Sequence, residues 1–424
     1  MQKQILHSTL LLISGSIFFF SCQKQIDQPA NQNEITVATN SNNDNSSKRI
    51  YVSNINQLYV AVNDPENAGS QIVLSPGVYI LNANNINGGR LELQMNMSLT
   101  GQPGHPESVV IDESALPAAS FTIPSVRTGG IRMGLGTNNL EWLTVKGGTI
   151  AANAFSVIDT DLPSTETHIG IFHVNIIGNG SSVGIDIRNR RPEQAGRKIY
   201  ADLEHNDISG VITFLGPGIE IQNANNASGS FIKVNLLENY IYGNRVGIGA
   251  FNNAASSTVI NSSIEVTSHA DRIEENGVGL FLGGGLSQVA TALGNGNTTI
   301  FEAYGSSIRN NNPSPMPPEL LPNIPIVYIP CGIYTFGGIS TSVAGNNKSS
   351  DNTLKINFWG CDISGNNSPD INAFGAFCQP QALLAGTDNL VEIQLNGNSA
   401  NATVVATPSI PAEPAGTNIV NIYR

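Results

Sequence analysis

The chain has 424 residues, a formal net charge of -12, only 12% charged residues, and 43 glycines with 22 prolines. The acidic balance argues against a nucleic-acid partner, because phosphate binding needs clustered Lys and Arg and no such field exists here. Sparse charge with recurrent Gly and Asn is poor composition for helices and good composition for short strands joined by tight turns.

In chain order, Lys3 gives a positive start, residues 10–20 form an apolar run broken by Ser14, Gly15 and Ser16, and Phe19-Phe20-Ser21-Cys22 ends it. The run is too short to span a bilayer as a mature helix and reads as a signal peptide. A small residue followed by Cys resembles the bacterial lipobox, although Phe19 stands where Leu is commoner. The resemblance makes residues 1–22 a lipoprotein signal peptide and Cys22 the acylated new N-terminus. Residues 23–48 are polar, Asn/Ser-rich and aperiodic, as a flexible tether would be. The expected location is the bacterial cell envelope, at the outer membrane or cell surface, held by acyl chains without spanning.

Residues 55–62 read as a short amphipathic capping helix, followed by strands in 71–79, 99–101 and 109–112. From there one phrase recurs: an apolar strand, a turn with Asn, an Ile, then Gly or Asn. Its Ile landmarks are Ile176, Ile208, Ile241, Ile273, Ile308 and Ile363, the first five 32–35 residues apart. Such a period without a helical stripe means several short strands per turn of a solenoid. A second phrase follows each landmark, and period two puts Ile185, Ile219, Ile248, Leu280, Ile333 and Ile371 inside. Stacking the phrases brings Asn206, Asn239 and Asp271 to one turn of successive rungs.

That ladder resembles the one in pectate-lyase-like proteins, and the resemblance covers most of the chain from Arg49 onward. It implies an all-β fold, a right-handed parallel β-helix over residues 49–424, against the alternative of a β-sandwich or propeller. Residues 284–330 read as an insertion that carries rung strands at 298–308 and a Pro-rich loop (Pro313 to Pro330). The prolines at 408, 411 and 414 read as a stop to rung propagation, with 419–423 as a final edge strand.

In the β-helix enzymes of that resemblance, substrate lies along the strand set of the second phrase. Its alternate positions are expected to face out. Asp186 and Glu220 fall there on adjacent rungs, with backbones about 4.8 Å apart, beside Arg188 and Gln222 and ahead of Arg190 and Arg191. Two carboxylates at that separation suit acid–base work, and an Arg beside them suits a uronic acid or an enolate. Asp186, Glu220 and Arg188 are the catalytic candidates; the bland reading is an exposed ion-pair cluster. The linked Asp motifs of polygalacturonase-like hydrolases are absent, as are the Asn-His and Arg-x-x-His patterns of chondroitinase-like lyases. Phe251, Phe281, Tyr334, Phe336 and Phe374, with Gln222, are the ligand-binding candidates, either an open sugar platform or a satellite core under the Pro-rich loop.

His173 and His205 fall at equivalent turns with Glu238 on the next rung; a metal there, or calcium at Asp202, Glu204 and Asp207, is the lesser reading, and no metal is assigned. No cofactor is indicated. Cys331, Cys361 and Cys378 match no zinc spacing; two of them pairing and all three buried remain equal alternatives. The sequence therefore favours an extracellular polysaccharide as partner, bound and in the stronger version cleaved by a lyase or glycoside hydrolase. The rival is a non-enzymatic adhesin or spacer.

Overall fold

A computed structural model describes residues 36–38, 48–116, 122–123, 126–127, 129–147, 156–159, 166–178, 183–189, 195–212, 216–287, 291–312, 331–340, 349–367, 369–378, 386–405 and 417–424. Cys22, Arg190, Arg191 and the Pro-rich residues 313–330 lie outside the described residues, as do the prolines at 408, 411 and 414. The chain divides after Glu34, and everything below concerns the unit Ile35–Arg424.

Successive rungs contribute strands to three sheets, parallel throughout apart from Thr36–Ala38, and each rung strand pairs with its counterpart one rung on. Sheet A holds the seven-residue strands, such as Lys198–Glu204, Phe231–Leu237 and Ser263–His269. Sheet B holds three-residue strands, such as Asp207–Ser209 and Tyr240–Tyr242. Sheet C holds Val183–Asn189, Pro217–Ala224, Val246–Ala254, Val278–Ser287, Cys331–Ser340 and Ile371–Cys378. Among the described residues the sheets have 13, 8 and 10 strands respectively. The protein is a parallel β-solenoid of the β-helix type, as the repeat implies.

The inward column of each sheet is apolar and forms one continuous core, with Ile185, Ile219, Ile248, Leu280, Ile333 and Ile371 all fully buried. Complete burial of each such side chain contributes about 1.5–3 kcal/mol before conformational entropy is charged against it. Helix α1 (Ile55–Asn63) closes the N-terminal end of this core with Leu58, Ala61 and Val62. Asn54 caps it by accepting from the Gln57 N–H at 3.0 Å, one residue short of the apolar run, as an N-cap should. Within the segment read as a tether, Thr36–Ala38 pairs antiparallel with Arg49–Val52.

The turn from sheet A to sheet B is two residues long, and its first residue is left-handed. Trp142, His173, His205, Glu238 and Ala270 occupy it on successive rungs with φ of 52–55°, and Gly305 and Gly360 continue the series. A left-handed L-residue costs roughly 1–2 kcal/mol. Asparagine ladders at the turns offset that cost. Asn206 accepts from the Val174 N–H at 2.9 Å and donates to the Ile171 carbonyl at 2.8 Å. Asn239 does the same for Asn206 and Leu203, and Asp271 ends the run.

Two further turn ladders went unrecognised in the sequence. Asn244, Asn276, Asn311 and Asn366 link the turns from sheet B to sheet C. Asn297, Asn352, Asn389 and Asn418 link those from sheet C to sheet A. A shorter series, Asn189, Asn223 and Asn252, runs within sheet C. Every one of these amides is buried or partly so, and those of the two turn ladders satisfy backbone groups that a tight turn would otherwise strand.

Candidate functional site

Strand register aligns the outer-face positions of sheet C. One column runs Glu92, Arg132, then, past the strand Ser156–Asp159, Asp186, Glu220, Gly249, Phe281, Tyr334 and Asn372. The next runs Arg188, Gln222, Phe251, Gly283, Phe336 and Phe374. The face is thus charged on its early rungs and aromatic on its later ones.

Asp186 and Glu220 are register partners on adjacent rungs, and both meet Arg188. Its Nη2 lies 2.8 Å from Asp186 Oδ1 and also donates to Glu220 Oε2. Gln222 donates from Nε2 to the other Glu220 oxygen. The four candidates therefore form one hydrogen-bonded group. Arg132 and the Arg90–Glu92 pair, 2.8 Å apart, extend the charged region toward the start of the chain. These were missed because the strands that carry Arg132 and Glu92 are only two residues long and lack the recurring phrase.

The expected exposure of this face is corrected. Asp186 is 0% exposed, Arg188 and Gln222 3% and Glu220 4%. An exposed ion-pair cluster is therefore not what forms here. The aromatic half is likewise enclosed: Tyr334 and Phe336 are fully buried, and Phe251, Phe281 and Phe374 do not exceed 8%. With Val246, Val278, Leu286, Cys331 and Ile339 they make a second apolar cluster outside the main core. The physical reason is area: five contiguous aromatic side chains form a patch larger than a soluble surface leaves in water. Gly283 makes this packing possible, since a Cβ there would come within 2.0 Å of the Phe336 ring.

Buried charge is costly unless paired, and one guanidinium shared by two carboxylates offsets that cost only in part. A buried, internally paired carboxylate–guanidinium group on one face of a solenoid is a functional-site candidate on those grounds. Two carboxylates and an Arg can in principle exchange and steady protons on a bound sugar.

The other sequence candidates separate. His173 and His205 do stack at 4.8 Å, with Trp142 on His173 at 3.8 Å and Glu238 Oε2 3.4 Å from His205 Nδ1. Burial and the neighbouring His205 hold the His173 imidazole below its usual pKa. Among the described residues no group of three His, Cys, Asp or Glu can hold a metal ion. Asp202 and Glu204 point outward from sheet A, whereas Asp207 belongs to sheet B. Cys331 and Cys361 are free thiols, and burial pushes Cys331 up to about 11. The Cys378 side chain lies outside the described set. No helix among the described residues is long and apolar enough to cross a membrane.

No protein-family model matches the chain, and no curated protein matches it either. Solved structures similar to it include pectate lyase Pel9A, at 12% identity over 87% of this chain and 82% of that one, with a TM-score of 0.35. The A-module of Azotobacter vinelandii mannuronan C-5 epimerase AlgE4 is 14% identical over 84% of this chain and 89% of that one, TM-score 0.33. The A-module of epimerase AlgE6 from the same organism is 15% identical over 85% of this chain and 100% of that one, TM-score 0.25. The activities in those names belong to those proteins.

Proposed function

We propose that this protein is a cell-envelope lipoprotein, tethered through Cys22, that binds an extracellular polysaccharide along the outer face of sheet C. In this reading Asp186 and Glu220 are the acid–base pair if the polymer is cleaved, Arg188 and Gln222 orient the substrate, and binding requires that the enclosed face open to the polymer. The observation that carries the reading is the convergence of Asp186, Arg188, Glu220 and Gln222 in one buried group on adjacent rungs. Polar groups of this kind are retained in an otherwise apolar setting at a cost, which is what a site must do and a mere spacer need not.

A second reading has its own observation. The aromatic face is enclosed, not open, and that favours a non-enzymatic adhesin or spacer whose outer cluster only stiffens the solenoid. Incubation with a panel of neutral and acidic polysaccharides, followed by size-exclusion chromatography, separates the two. Shortened polymer that Glu220→Gln and Asp186→Asn abolish supports a depolymerase. Comigration without shortening leaves a binding module, and neither result in a broad panel leaves the adhesin or spacer. The tether is tested by Cys22→Ser, which should move the protein from the membrane to the soluble fraction.

A further inference from the structure

The two ends of the solenoid are finished differently. At the first rung, α1 lies over the core with Leu58, Ala61 and Val62, and Thr36–Ala38 covers the edge of sheet A by pairing with Arg49–Val52. At the last rung the outermost strand of sheet A is Ile419–Tyr423, and among the described residues it pairs only with Leu390–Gln394. Its inward residues Val420 and Ile422 pack on the core but are only partly buried, whereas their register partners Val391 and Ile393 are fully so. In sheet C, Val404 is the register partner of the buried core residue Ala373, yet it is 47% exposed. Ile419 and Tyr423, on the outer face, are each 49% exposed. The core therefore ends here in apolar surface that meets water.

The edge strand reads Ile-Val-Asn-Ile-Tyr, all but one of them strong strand formers, with none of the charges or prolines that commonly protect a free edge. Hydrogen bonding fixes which of its backbone groups are free. The Ile419 N–H donates to the Asn389 carbonyl at 2.9 Å, and the Tyr423 carbonyl accepts from the Leu395 N–H at 2.7 Å. Alternate residues of a parallel strand face the same neighbour. Ile419, Asn421 and Tyr423 thus bond into the sheet, and Val420 and Ile422 present their N–H and C=O groups to the free edge. Those two stand symmetrically about Asn421. A second copy of the strand, turned about a two-fold axis through Asn421, sets Val420 opposite Ile422 of the other copy. Both such pairs are then of the hydrogen-bonded kind, each exchanging two bonds. Val420 and Ile422 of the two copies meet on the core side, and Ile419 meets Tyr423 on the outer side. Arg424 falls opposite Asn418, so no like charges face each other.

We propose that the last rung is a dimerisation surface, at which two copies of this chain join their sheets A edge to edge, antiparallel about Asn421. The occupant is a second copy because the strand is complementary to itself in hydrogen bonding, apolar pairing and charge. A two-fold contact uses the same strand from both partners and closes at two chains. The covered edge at the first rung leaves sheet A no second edge from which a filament could grow. The inference is independent of the polysaccharide reading of sheet C.

The test is light scattering of the full chain in detergent, with the detergent mass subtracted, across about 1–100 µM. Wild type should pass from one chain to two as concentration rises. Asn421→Cys should form an interchain disulfide on mild oxidation, because residue 421 faces itself across the axis as a non-hydrogen-bonded pair with Cα atoms about 4.5 Å apart. Wild type, with its native Cys residues, and Ile419→Cys, which lies off the axis, should not. Asn421→Lys should weaken the dimer about fivefold or more by setting like charges opposite each other, while circular dichroism reports an intact fold. Mixing it with Asn421→Glu should restore pairing. The neighbour of residue 421 within the chain is Glu392, already paired with Lys355 at 3.4 Å, so the monomer tolerates either charge. A single-chain mass at every concentration or assembly beyond two chains would overturn the proposal. So would a dimer that Asn421→Lys leaves intact and Asn421→Cys does not cross-link.

Discussion

Asp271 stands where an asparagine belongs: its Oδ1 accepts both the backbone N–H and the side-chain Nδ2 of Asn239, each at 2.8 Å. Its second oxygen takes the Ser268 hydroxyl at 2.6 Å. Burial outweighs these donors and pushes the carboxyl from 3.8 up to about 6. A carboxyl raised in the fold contributes stability that is complete below its ordinary pKa and is lost as pH rises through the folded value. The shift corresponds to a loss on the order of 3 kcal/mol between about pH 4 and pH 7. Asp271→Asn should therefore stabilise the protein at about pH 7.5 and change little at about pH 4. Glu113, fully buried and also raised by desolvation, adds a slope of the same sign in both proteins. Denaturation of the variant and wild type at the two pH values checks this, and an equal difference at both would contradict it.

The second ladder makes a simpler prediction. Asn276 accepts from the Asn244 N–H at 3.0 Å and donates to the Ile241 carbonyl at 2.9 Å, in complete burial. Asn276→Ala strands both backbone groups at about 1–3 kcal/mol each. A loss of about 2–5 kcal/mol by urea denaturation is expected; a loss under about 1 kcal/mol would mean that water replaces the amide.

Arg188 is shared by two buried carboxylates, so Arg188→Met leaves Asp186 and Glu220 facing each other without it. The expected cost is about 3–5 kcal/mol. Combining it with Asp186→Asn and Glu220→Gln should recover much of that loss, because the uncompensated charge is gone. Failure of the triple variant to recover would show that Arg188 acts by packing and not by charge.

Gly283 faces the Phe336 ring with no space for a side chain. Gly283→Val should cost about 1–3 kcal/mol through overpacking and alter near-ultraviolet circular dichroism from the displaced aromatic cluster. An unchanged spectrum with unchanged stability would deny the cluster its tight packing.

Much of this fold was legible because a solenoid repeats its chemistry at one position per rung. Ile208, Ile241 and Ile273 announce the period, and Asn206, Asn239 and Asp271 share a turn, so alignment alone found the ladder. The helix at residues 55–63 and the last strand, Ile419–Tyr423, were readable from their local pattern. Asn297, Asn352, Asn389 and Asn418 escaped because insertions make their spacings 55, 37 and 29, which hides a constant position behind a variable interval. The adjacency of Asp186 and Glu220 followed from the same alignment. Their burial did not, since alternation separates the inside of the solenoid from the outside but says nothing about what encloses the outside. The run of outward aromatics from Phe251 to Phe374 was the available signal, too apolar as a set for a free surface.

The most direct measurement of the central claim is polysaccharide binding and chain length, followed together by size-exclusion chromatography with light scattering, for wild type and Glu220→Gln. The account predicts that at least one extracellular polysaccharide comigrates with or is shortened by wild type, and that Glu220→Gln, still folded, loses at least 10-fold of that effect. Binding and chain length identical in the two proteins, or no interaction with any polymer in a broad panel, would contradict it.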